Sequence, residues 1–190
     1  MKKVIFSQGL ASLLLVWAVC AALLVALFHQ LAEHDLPCAL CWLQRFAMIT
    51  ILVAQSYILI KISRRQALSM AEICAAHGLS ILAALAGMSM SLRQVFLHIL
   101  PNDPGYGGEV MGMHFYTWGF VLFFACMMGS AITLALANWL DREGETWHVV
   151  ARWTVWLVAA LIIVNWALVF AMQGFQWELD GDPTHYRLFS

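Results

Sequence analysis

Five long apolar stretches, at residues 8–31, 42–60, 72–97, 114–137 and 153–174, alternate with short polar connectors. Each approaches or exceeds the roughly 20 residues that a helix needs to cross about 30 Å of hydrocarbon. The pattern predicts an all-α, polytopic membrane bundle of about five transmembrane helices. The second stretch is the shortest, and Gln44, Arg45, Gln55 and Ser56 interrupt it. No repeat, low-complexity tract or soluble domain is visible, so residues 1–190 read as one membrane domain. The first stretch is too long for a cleaved signal peptide and leads into further spans, so it is expected to stay as an anchor.

Composition agrees: 63% of the 190 residues are hydrophobic and 11% are charged, with a mean hydropathy of +0.79. A soluble domain of this length could not hide so much apolar surface. The net charge of −1 gives no hint of nucleic acid, and nine tryptophans suit a membrane boundary. Placement of the charges matters more than their sum. Lys2, Lys3, Lys61, Arg64, Arg65, Arg142 and Arg152 fall on one side of the predicted membrane, and only Arg45, Arg93 and Arg187 on the other. The positive-inside rule then makes the N-terminus cytoplasmic. An odd number of spans puts the acidic tail (Glu178, Asp180, Asp182) outside, with Glu33, Asp35, Asp103 and Glu109.

Cys38 and Cys41 lie in Pro37-Cys38-Ala39-Leu40-Cys41-Trp42-Leu43-Gln44-Arg45, between the first two spans and on the outer, oxidising side. Thiols spaced by two residues can close a small disulfide ring and reopen it, and a nearby cation or helix N-terminus favours the thiolate. Cys41 is expected in the first helical turn as that thiolate, with Cys38 further out and more reachable. A zinc half-site or two inert thiols are the competing readings, and no second CxxC or matching histidine pair completes four zinc ligands. Arg45 follows Cys41 by four residues and shares its helix face. It is either a snorkelling anchor or a cation beside Cys41 and a bound anionic acceptor; Gln44 could add a hydrogen bond.

Arg93 and His98 close the third span on the same side, as boundary anchors or as further ligands. The outer segment 98–113 holds Pro101, Pro104, Gly105, Gly107 and Gly108, so it reads as a turn-rich loop. Met111, Met113 and His114 follow, a belt of boundary residues or a copper(I) set of thioether and imidazole ligands. Cys20 and Cys126 fall at similar membrane depth. They could carry electrons across the bilayer, but small apolar packing accounts for them, and for Cys74.

The run PCxLCWxQR after a first span resembles the DsbB family of quinone-dependent disulfide oxidases, as do Arg93 before a Leu-Pro loop and the aromatic re-entry after it. The likeness spans about residues 8–137, leaving the span at 153–174 as an addition to a four-helix core. It implies a bacterial inner-membrane enzyme with its redox site on the periplasmic side. A dithiol of a DsbA-like thioredoxin-fold partner would be reoxidised, and ubiquinone or menaquinone would take the electrons. The resemblance makes Cys41 the quinone-facing thiolate, Cys38 the residue that exchanges with the other disulfide, and Arg45 an aid at the quinone. One departure stands out. The second outer loop of the family carries another cysteine pair, and the loop here has none. The competing functions are a reductive conduit through Cys20 and Cys126, and a copper-handling protein without enzymatic activity.

Overall fold

The computed structural model describes residues 7–101, 103, 105–140, 147–175, 181 and 183–189. Lys2, Lys3, Pro104, Arg142, Glu178, Asp180 and Asp182 lie outside the described residues. Five helices long and apolar enough to span a membrane are present among them: α1 (Gln8–Ala32), α2 (Ala39–Ser63), α3 (Met70–Leu97), α4 (Phe115–Ala135) and α5 (His148–Gln173). The chain is thus an all-α polytopic bundle, as the apolar pattern predicts.

Side-chain caps start three of the helices, Cys38 being the cap of α2. Ser7 accepts the Leu10 amide at the head of α1, and Ser69 and Glu72 form a reciprocal capping box on α3. Helix α2 runs 25 residues despite its four polar interruptions. Gln44 and Gln55, and likewise Arg45 and Ser56, are eleven residues apart, close to three turns. All four therefore share one face, and all four are buried inside the bundle. The polar positions mark the protein-facing side of the helix rather than a break in it.

Helices α1 to α4 close a ring in which α3 lies between α2 and α4, and α1 touches both α2 and α4; α5 packs outside, against α2 and α1. The α1–α4 seam is the sparsest in the ring. The core along its centre includes Leu13, Val16, Cys20, Leu23, Ile51, Leu52, Ile58, Ala84, Phe123 and Cys126. Phe123 lies flat on Gly87, where any side chain would enter its ring. Buried positions on α5 recur at Ala151, Thr154, Val158, Leu161, Asn165, Val169 and Met172, a three- and four-residue spacing that gives one inward stripe. Its other faces expose Trp153, Trp156, Ile163 and Trp166, as a helix bathed in lipid would. Cys20 and Cys126 pack in this core, whereas Cys74 is exposed on α3 and is not a packing residue. That corrects its expected role.

Consecutive helices run antiparallel, so the end of α2, with Lys61, Arg64 and Arg65, meets the starts of α3 and α5: Lys61 pairs with Glu72 at 2.9 Å and Arg65 contacts His148 at 3.0 Å. The cysteine motif lies at the opposite end. There the outer segment folds into a two-stranded hairpin, β1 (Glu109–Val110) and β2 (Met113–His114), with Glu109 opposite His114 and Val110 opposite Met113. Met111 and Gly112 make its turn with φ of 55° and 72°. Two positive φ angles suit a tight hairpin.

Candidate active site

Helix α1 ends in a turn that delivers the cysteines. The amides of Glu33 and Asp35 both donate to the His29 carbonyl, around a left-handed His34 with φ 58°. This wraps the last turn of α1 and sends the chain through Leu36 and Pro37 into α2. Cys38 is the N-cap of α2, and its Sγ accepts the Cys41 amide at 3.3 Å. The two Sγ atoms are 2.8 Å apart as free thiols. A disulfide needs roughly 2.05 Å, so closing the bond asks for under ~1 Å of movement.

The cap reverses one expectation. The helix N-terminus acts on Cys38 rather than on Cys41. The Cys38 thiol is pulled from its ordinary 9.0 down to about 7, first by the hydrogen bond from the Cys41 thiol, against burial, with help from backbone amides of Cys41 and Leu40. Its expected exposure is also corrected: Cys38 is only 7% exposed. Cys41 instead lines a cavity of about 270 Å³ that Cys38 does not reach.

That cavity lies between α1, α2, α3 and α4 under the outer loop. Ala22, Val25, Ala26, Met48 and Leu122 make its apolar walls, and Gln44, Arg45 and Gln94 join Cys41 on its polar side. Two contacts hold the loop down over it. The Gly108 amide donates to Asp35 Oδ2 at 2.9 Å, and the Tyr106 hydroxyl donates to the Leu36 carbonyl at 2.8 Å. Val25 lines the cavity while being 43% exposed on the outside of α1. The cavity therefore reaches the lipid-facing surface beside the sparse α1–α4 seam.

Arg45 is 6% exposed and does not snorkel to the boundary. It donates to Gln30 Oε1 at 2.5 Å and to the Ala26 carbonyl at 3.2 Å, and lies 4.8 Å over the Trp42 ring. Gln30 in turn donates to Tyr186 Oη at 3.3 Å and Met172 Sδ at 3.5 Å, tying the arginine to α5 and the segment beyond it.

Gln94 is the site residue that the sequence does not announce. Its amide is 3.5 Å from Cys38 Sγ and 3.6 Å from Cys41 Sγ, and its Oε1 accepts from Gln44 at 2.9 Å. A lone glutamine at the end of an apolar span carries no motif, although its neighbour Arg93 draws the eye. Arg93 is exposed, one residue off that face, and the structure does not bring it to the cavity. Nor does it bring His98, whose Nδ1 pairs with Asp103 at 3.1 Å and whose ring stacks on Tyr116. His98 holds the loop. Met113 and His114, adjacent in a strand, point to opposite faces. His114 pairs with Glu109 at 3.1 Å, and Met111 is 88% exposed. Those three do not converge as a copper set.

Residues 8–108 match the family profile described as disulfide bond formation protein DsbB. The match ends inside the outer loop, short of residue 137. A curated relative named disulfide bond formation protein B, from Chromobacterium violaceum, is 33% identical over 156 residues, 76% of this chain and 90% of the relative. No solved structure matches.

In the reduced protein, with Cys20, Cys74 and Cys126 replaced, a thiolate titration at 240 nm should show one group with a midpoint near 7. Removing the hydrogen-bond donor in Cys41→Ala should move that midpoint upward. A Cys38 midpoint at the ordinary 9.0 in both proteins would contradict the cap geometry.

Proposed function

Since the chain belongs to the DsbB family of disulfide bond formation proteins, we propose that it is a quinone-dependent thiol oxidase of the bacterial inner membrane. One membrane unit carries the reaction, a DsbB-like core over about residues 8–137 with α5 added. The N-terminus is cytoplasmic and the cysteine end periplasmic, in line with Lys61, Arg64 and Arg65 clustering at the far end.

The observation that carries the reading is Cys41 on an apolar cavity that reaches lipid, with the second sulfur 2.8 Å behind it. A thiol protein is soluble and a quinone is not; the cavity lies where the two can be served by one disulfide. Its residues fit ubiquinone or menaquinone. Aliphatic walls suit an isoprenoid and ring, and Arg45 and the Gln44–Gln94 amide pair offer donors to a carbonyl oxygen. When bound, the quinone supplies a two-electron, two-proton acceptor.

The chain's residues do the rest. The Cys38–Cys41 disulfide is opened by a thiolate of a DsbA-like dithiol protein, which leaves with its own disulfide closed. Two electrons and two protons then reside on Cys38 and Cys41. Arg45 stabilises negative charge as it develops at Cys41 and at the acceptor. Gln94 donates to whichever sulfur carries charge, and Gln44 aims it. Cys38, the capped thiolate, is the nucleophile that recloses the disulfide on Cys41. The loop lacks a cysteine pair, so the partner's thiolate attacks Cys38 directly, from the outer end of α2. Cys38 is covered, so that attack requires its cover to yield.

Arg45 should act through charge. A contact of this kind is worth on the order of 1–4 kcal/mol in partly screened surroundings. Arg45→Met should therefore raise the Michaelis constant for a short-chain quinone by about fivefold or more, and Arg45→Lys by less. Unchanged quinone kinetics in Arg45→Met would leave the guanidinium a purely structural part.

Cys41→Ser should accumulate a mixed disulfide between Cys38 and a DsbA-like protein, visible on a non-reducing gel, and Cys38→Ser much less of it. If Cys38 is instead found joined to a second protein that carries its own cysteine pair, direct attack is wrong and the relay is divided between two chains.

A further inference from the structure

Oxidation of a thiol pair by a quinone moves protons as well as electrons, and the cavity contains an unassigned group suited to deliver one. His29, on the last turn of α1, lines the cavity with Cys41. Its Nδ1 donates to Glu33 Oε2 at 2.5 Å, and its ring packs edge-on against Phe115 with centroids 4.6 Å apart. The two side chains differ in reach. His29 is 19% exposed, and Glu33, one turn further out, is 53% exposed. The pair spans from the cavity wall to outer water. With Nδ1 held by Glu33, Nε2 is the ring nitrogen without a protein partner among the described residues.

Proton balance calls for a donor at the cavity. Closing Cys38–Cys41 releases two electrons and two protons, and forming a hydroquinone takes up two of each. Cys41 brings one proton into the cavity. The Cys38 proton is largely lost to water above pH 7, because the hydrogen bond from the Cys41 thiol, helped by the cap amides, holds that thiol at about 7. A lining group that exchanges protons with outer water can supply the second. The titratable and charged groups facing this space are Glu33 beside His29, Asp35 of the connector, Cys41 and Arg45 of α2, Tyr106 of the loop and Tyr116 of α4. Guanidinium and phenol groups in general hold their protons at neutral pH. Asp35 is an acceptor committed to the Gly108 amide. Imidazole alone among these gives and takes a proton near neutrality.

We propose that His29, held by Glu33, is the proton donor of the quinone cavity. His29 gives the Nε2 proton to the acceptor oxygen as the Cys38–Cys41 bond closes. It is recharged from periplasmic water past Glu33, and the carboxylate steadies the imidazolium between turnovers. This rests on the quinone-oxidase reading above.

The test uses the full chain in detergent with a short-chain ubiquinone and a reduced dithiol protein. In His29→Gln, turnover should fall by about a hundredfold or more, the usual range for losing a general acid. Added imidazole should restore part of the loss. Quinone affinity, read from quenching of tryptophan fluorescence, should stay within about twofold of the parent. Glu33→Gln should keep His29 but lower turnover, because the route that recharges the imidazole loses its carboxylate. Parent-like turnover and pH profile in His29→Gln would overturn the proposal. So would a loss matched by weaker quinone binding and not rescued by imidazole, which marks a structural role. A parent chain that neither binds nor reduces quinone would overturn the oxidase reading itself, and the inference with it.

Discussion

A guanidinium taken out of water must be given partners, and the outer half of this bundle is arranged around that requirement at Arg45. Breaking a buried charge from its partners is costly, while forming the pair gains little in net stability. Such a group therefore specifies an arrangement more than it strengthens one. Gln30 and the Ala26 carbonyl receive its protons, and Trp42 lies under its plane. Each of these contacts commits another element: α1 through Gln30 and Ala26, and α5 and the segment beyond it through Met172 and Tyr186. The fifth helix, absent from a four-helix core, thus has a reason to be where it is.

The same arrangement leaves one side of Arg45 on the cavity, next to Cys41. The cysteines then differ through geometry alone, although three residues separate them. Cys38 caps the helix and receives its amides; Cys41 faces an apolar space that touches lipid. One position suits a thiolate in waiting, the other contact with a membrane-soluble acceptor. Gln94 bridges both sulfurs from α3, so the pair is held from a second helix.

Much of this was legible in the sequence. Lipid allows few solutions for a spanning backbone, so five apolar stretches translate into five helices with ends within a few residues of those expected. Cys38, Cys41, Gln44 and Arg45 were legible because they sit in register on one short segment. Gln30, Gln94 and His29 were not, since they come from α1 and α3 and only the packed bundle brings them to the cysteines of α2. The thiolate was assigned to Cys41 on an expected helix start near residue 41. The helix begins at Ala39, and this small shift moves the cap to Cys38. Arg93 and His98 misled for the converse reason: polar residues near a span end suggest a site, but one faces outward and the other is engaged by Asp103.

The central claim is that two electrons leave this chain through Cys38 and Cys41 into a quinone. A single-turnover count measures that directly: fully reduced protein, mixed without oxygen with one equivalent of a short-chain ubiquinone, then acid-quenched, alkylated and mapped. The account requires two thiols lost for each hydroquinone formed, both mapping to Cys38 and Cys41, with Cys20, Cys74 and Cys126 still alkylated. Hydroquinone formed while Cys38 and Cys41 stay reduced, or thiols lost at Cys20 and Cys126 instead, would contradict it.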